Sequence, residues 1–154
     1  MDLKPGDKAP AFKLATDGGG HVSLADLKGQ PVVLYFYPKD NTAGCTREAV
    51  DYTRLAKKFQ DLGVAVIGVS KDTVASHDKF KDKHKLKLTL ASDSETALAQ
   101  AYGVWIEKNL YGRKSMGMER ATFLIDGTAK IRAIWRKVKV NGHAEAVLTA
   151  AQEL

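Results

Sequence analysis

The chain has one cysteine, Cys45, in 154 residues. No internal disulfide can form, so a disulfide-stapled secreted scaffold is excluded. No stretch approaches the ~20 consecutive apolar residues of a membrane span. The first residues, MDLKPGDKAPAF, place charges and prolines where a signal peptide needs an apolar run. The expectation is a cytoplasmic protein, whose reducing surroundings suit a lone working thiol. The four histidines, His21, His77, His84 and His143, show no ligand spacing with each other or with Cys45, so no metal and no bound organic cofactor are expected. Gly19 and Gly20 are not followed by the helix and Lys-Ser/Thr pair of a phosphate-binding loop. Repeats, linkers and low-complexity tracts are missing too. What remains is an ordinary 44% hydrophobic content, enough for one domain with a real core over residues 1–154.

The formal charge is +6, and its densest run is HDKFKDKHKLK, from His77 to Lys87. Asp78 and Asp82 dilute that run and no aromatic interleaving supports base stacking, so it reads as a solvated helix face rather than a nucleic-acid patch.

The stretch that organises the rest is PVVLYFYPKDNTAGCTREA, Pro31 to Ala49. Val32 to Tyr37 is an unbroken β-branched and aromatic run, which predicts a strand buried on both faces. Pro38 cannot donate to a sheet ladder and ends it. Lys39 to Gly44 form a polar loop, and a helical stripe begins near Thr46 with Ala49, Tyr52, Leu55, Ala56, Phe59 and Leu62. Cys45 falls at the seam. There the unpaired N–H groups and dipole of a helix start stabilise a thiolate, which is the reactive form. Thr42, three residues earlier, is near enough to offer its hydroxyl to the sulfur; helix capping is its alternative role.

Around this stretch the pattern alternates. Phe12 and Leu14 read as a short strand before a glycine turn at residues 17–20. Gly63 ends the Cys45 helix, and Val64 to Val69 make a second buried strand in a right-handed crossover with the first. Asp72 or Thr73 opens a lysine-rich helix facing inward through Val74, His77 and Phe80; His77, on a mixed face, reads as a satisfied or half-exposed histidine. Leu86, Leu88 and Leu90 alternate as a strand, and Ser92 with Glu95 forms a capping box for a brief helix to Tyr102. Residues 103–119 read as loop with a short strand at most. Thr122 to Ile125 and Ile131 to Trp135 form a hairpin across Asp126-Gly127, and a last helix runs from Gly142 to Leu154.

PKDNTAGC fits the Pro-x-x-x-Thr-x-x-Cys pattern of the peroxiredoxins, and the wider YFYPKDNTAGCTREA resembles their bacterioferritin-comigratory, or Q-type, branch. GDKAPAF, VIGVS, LASD, YGVW and RATFLIDG follow in the same order. The resemblance implies a thioredoxin-like α/β fold: a central mixed sheet with helices on both faces and an N-terminal β extension. It implies a peroxidase for hydrogen peroxide and organic hydroperoxides in which Cys45 attacks the peroxide and becomes a sulfenic acid. Thr42 would orient thiolate and peroxide, and Pro38 would shape the loop and shield the sulfur, where by itself it need only end a strand. Arg120 would stabilise developing negative charge with fixed donors, though an arginine before a strand is otherwise just surface. Glu48 would hold that arginine; as a first-turn acid it also simply suits the helix dipole.

One departure is informative. Many members of this branch carry a resolving cysteine five residues after the first, where this chain has Val50; others carry it on the next helix, and residues 73–86 contain none. The implied reductant is therefore an external thiol such as thioredoxin, glutathione or a glutaredoxin, and a monomer is expected rather than a dimer. A thioredoxin-like thiol–disulfide oxidoreductase is the nearest alternative but lacks the C-x-x-C pair that such exchange uses. A noncatalytic interaction module on the same fold is a third reading.

Overall fold

The computed structural model describes residues 2–154. Its centre is β3 (Val32–Phe36), every residue of which is buried. Alternation sends Val32, Leu34 and Phe36 into one core and Val33, Tyr35 and Tyr37 into another on the opposite face. β4 (Ala65–Ser70) pairs with β3 in parallel, with Val32 opposite Ala65 and Phe36 opposite Val69. β5 (Thr89–Ser92) continues the parallel set. β8 (Ala121–Ile125) runs antiparallel on the other side of β3, and β9 (Ile131–Trp135) lies outside it. β1 (Lys13–Thr16) and β2 (His21–Ser23) extend the far edge, giving the order β2-β1-β5-β4-β3-β8-β9 in a mixed seven-stranded sheet.

One face is covered by α1 (Ala43–Arg54), α2 (Ala56–Asp61), α3 (Val74–His84) and α5 (His143–Gln152), which bury Tyr52, Phe59, Phe80 and Val147 among others. The other is covered by α4 (Ala97–Ala101) and the N-terminal residues, through Leu98, Ala99, Ala9 and Phe12. Tyr35 stacks on Tyr52 with centroids 4.7 Å apart. That ring fits because its cross-strand neighbour is Gly68: a Cβ there would fall 2.7 Å from the Tyr35 ring.

Four expectations need correction. The Cys45 helix begins at Ala43, not near Thr46, and is two helices: the chain breaks at Leu55 (φ −97°, ψ 4°), leaving Leu62 40% exposed rather than in the stripe. Ser92 and Glu95 make no capping box. The buried Asp93 carboxylate accepts from the N–H groups of Leu98 and Ala99, and the Ser92 hydroxyl donates instead to the Asp72 carbonyl. Residues 103–119 are mostly a hairpin, β6 (Trp105–Leu110) with β7 (Arg113–Met118), turning at Tyr111 (φ +53°) and Gly112 (φ +79°). Positive φ at both turn residues matches the right-handed twist of a two-residue hairpin, but a ribbon exposed along most of β7 carries little apolar alternation to announce it. Finally, β8 and β9 are joined by five residues, 126–130, in which the Asp126 carboxylate takes the N–H groups of Thr128 and Lys130.

Candidate active site

The site forms at the end of β3, where the chain leaves the sheet through 38–42 and enters α1. Thr42 is the N-cap residue, so Cys45 lies in the first turn of the helix rather than before it. The thiol is 2% exposed. Gly44, read above as a loop residue, is a helical position with a packing reason: a Cβ would stand 3.1 Å from Nη2 of Arg120.

Arg120 precedes β8. Because Phe36 pairs with Ala121, the antiparallel register brings Arg120 beside the end of β3 and hence beside α1. Its Nη2 donates to Cys45 Sγ at 3.3 Å and its Nη1 to Glu48 Oε1 at 2.7 Å. One guanidinium thus bridges the sulfur and the carboxylate, which the i, i+3 spacing puts on one face of α1. Burial works against the Arg120 charge, but Glu48 and Cys45 outweigh it and hold the guanidinium above its ordinary value. Glu48 is 1% exposed, and its second oxygen, Oε2, has no hydrogen-bond partner. Burial therefore raises its pKa to about 7 although Arg120 pulls it down. Behind Arg120, His143 Nε2 meets the Thr122 hydroxyl at 2.8 Å, and burial together with the Arg120 charge lowers its pKa to about 4.

The predicted residues are not all brought to the sulfur. Arg120 is the only hydrogen-bonding side chain on Cys45 among the described residues. The Thr42 hydroxyl spends its proton on the Lys39 carbonyl, 2.8 Å away, and so ties the loop rather than the thiol. Pro38 is half-buried at the strand end. No helix among the described residues is long and apolar enough to cross a membrane, and no group of three or more His, Cys, Asp or Glu residues there is placed to hold a metal ion.

Two features escaped the sequence reading. Gly44 looked like loop chemistry. Asp40 had no role, yet it is 5% exposed and hydrogen-bonded to Tyr37 and His77, the latter 37 residues away. The legible signal was a histidine on an apolar helix stripe, which demands a polar partner without naming it.

A thioredoxin-like sheet with a buried thiol at the first turn of the helix after its central strand, capped by a guanidinium, defines a protein built for cysteine-thiol chemistry. The AhpC/TSA family pattern matches residues 5–134. The chain is 48% identical over 150 residues to the peroxiredoxin Bcp of Bacillus subtilis, covering 97% of this chain and 96% of that one. A cysteine-to-serine mutant of Xylella fastidiosa PrxQ superposes with a TM-score of 0.94 at 39% identity, covering 99% of this chain and 98% of that one. The Xanthomonas campestris bacterioferritin comigratory protein, studied for its alkyl peroxide reduction, superposes with a TM-score of 0.89 at 43% identity over 92% of this chain and 90% of that one. The chain belongs to the AhpC/TSA family and, within it, to the Bcp/PrxQ peroxiredoxins, which are peroxidases.

Proposed function

We propose that this chain reduces hydrogen peroxide and organic hydroperoxides through Cys45, as one domain acting as a monomer in the cytoplasm. The observation that carries this is the Arg120 bridge between Cys45 Sγ and Glu48. The thiolate sulfur attacks the terminal peroxide oxygen, an S–O bond forms and the O–O bond breaks. The leaving alkoxide or hydroxide takes a proton to become alcohol or water, and Cys45 is left as a sulfenic acid. Arg120 stabilises both the thiolate and the charge that grows on the leaving oxygen. Glu48 is a positioning residue that holds the guanidinium over the sulfur. Pro38 and Thr42 set the loop that walls the site, Thr42 through its bond to Lys39.

Val50 is 42% exposed where the branch often has its resolving thiol, and Cys45 is the only cysteine. An external thiol (thioredoxin, a glutaredoxin or glutathione) therefore attacks the sulfenic acid sulfur, releases water and leaves a mixed disulfide, which a second thiol reduces. Peroxide consumption with dithiothreitol as reductant tests the reading. Turnover lost in Cys45→Ser supports it, and a wild-type chain that consumes none refutes it.

A further inference from the structure

The loop between β3 and α1 has few anchors of its own. Lys39, Asn41 and Thr42 are exposed, and Asn41 sits at φ +63° in the left-handed region. Beyond Tyr37, Asp40 alone is buried. Its carboxylate accepts from the Tyr37 hydroxyl at 2.6 Å, the Ser76 hydroxyl at 2.8 Å and His77 Nδ1 at 2.8 Å. Its backbone N–H donates to the Asp72 carboxylate at 2.8 Å, and Asp72 is held in turn by the Ser70 hydroxyl at 2.6 Å. The loop is thus tied by one residue to the first turn of α3 and to the segment that leads into it.

The proton count on His77 follows from its partners. The ring is wholly buried; Nδ1 faces Asp40 Oδ2, and Nε2 faces the Ala91 carbonyl at 2.9 Å. A carbonyl oxygen only accepts, so Nε2 carries a hydrogen. Burial raises the Asp40 carboxyl, but the bonds from His77, Tyr37 and Ser76 outweigh it and hold the group below its ordinary value. Both Asp40 oxygens already accept, Oδ1 from Tyr37 and Oδ2 from Ser76, and a carboxylate so placed leaves Nδ1 the donor role.

We propose that Asp40 and a doubly protonated His77 form a buried ion pair that fixes the loop bearing Pro38 and Thr42, and are positioning residues for the attack of Cys45 on peroxide. The proposal rests on the peroxidase reading of the site. The loop enters α1 at Ala43, two residues before the thiol, so slack at Asp40 passes directly into the wall around the sulfur and the first helical N–H groups. Misplacement by an ångström is enough to slow a reaction that depends on alignment.

Two measurements test this. Magnetic resonance of isotope-labelled histidine at neutral pH should show both ring N–H protons of His77 and the near-equal nitrogen shifts of an imidazolium; a single protonated nitrogen overturns the ion pair. Rates of Cys45 oxidation by hydrogen peroxide and of its alkylation by iodoacetamide, each per folded molecule, test the positioning role. Asp40→Asn should slow oxidation by about tenfold or more while alkylation, which needs no aligned peroxide, changes little. Ser76→Ala removes one donor but keeps the ion pair, and should slow oxidation by about threefold; it decides the matter if Asp40→Asn does not fold. Variants that unfold more easily yet oxidise at the wild-type rate would show a merely structural cluster and overturn the positioning role. A wild-type protein inert to peroxide would sink the peroxidase reading and the positioning role with it, whereas a reactive wild type beside an equally reactive Asp40→Asn would sink the positioning role alone.

Discussion

Replacing Glu48 by Gln probes how the protein tolerates a carboxylate in its core. Glu48 is 1% exposed and one of its two oxygens has no partner. Its pKa of about 7 lies well above the ordinary glutamate value of 4.5, with burial as the larger cause and Arg120 the opposing one. A pKa raised in the folded state means that the folded protein binds the proton more tightly than the unfolded chain. The stability this adds is complete below about pH 4.5 and is lost as pH climbs through about 7. The gap corresponds to at most about 3 kcal/mol. Gln keeps the shape and an acceptor for Arg120 but does not titrate. The difference in unfolding free energy, Glu48→Gln minus parent, should therefore swing in favour of the variant by up to about 3 kcal/mol between pH 5 and 8.

His143 pulls the other way. Its pKa is lowered to about 4 by burial and the Arg120 charge, so it favours folding above about pH 6.5 and costs stability as pH falls through about 4; being present in both proteins, it cancels. Urea unfolding at several pH values, with both proteins carrying Cys45→Ser to remove thiol chemistry, measures the swing. Parallel curves would refute the reasoning and mean that Arg120 keeps Glu48 ionised throughout.

Three further outcomes are expected. Arg120→Ala should slow Cys45 oxidation by about a hundredfold or more in stopped-flow peroxide assays, as loss of a donor at a developing charge does, and should destabilise the protein more at pH 8 than at pH 5 because Glu48 is left buried without its cation. Gly44→Ala should keep or raise thermal stability, since Ala is favoured over Gly in a helix by about 1 kcal/mol, yet slow peroxide reduction because its Cβ presses on the guanidinium 3.1 Å away; unchanged kinetics would remove Gly44 from the site. Stepwise peroxide without reductant should carry Cys45 through sulfenic to sulfinic and sulfonic acid by intact-mass spectrometry, and a disulfide-linked dimer as main product would contradict the one-cysteine route.

Several features were decided along the chain itself. The apolar run before Pro38 could only be a buried strand, and it is β3. The pairing of β3 with β4 in parallel followed from a strand, a helix and a strand with crossover spacing. The place of Cys45 near a helix start was equally local, though the helix begins at Ala43, after a Thr42 that holds the N-cap position without a side-chain cap bond. Local pattern could not foresee the break at Leu55, where the apolar stripe continues unbroken through two helices. Nor could it reveal the 103–119 ribbon, whose exposure erases the alternation that marks a half-buried strand.

What tertiary structure alone decided is who meets whom. Arg120 reaches Cys45 across 75 residues because antiparallel pairing of β3 with β8 sets Ala121 opposite Phe36. Asp40 meets His77 because the parallel crossover from β4 to β5 carries α3 past the residues that follow β3, with Phe80 against Tyr37. A histidine or arginine in a sequence announces an unmet hydrogen-bonding demand. Which distant group meets it is a matter of sheet register, and register is chosen by the whole core at once.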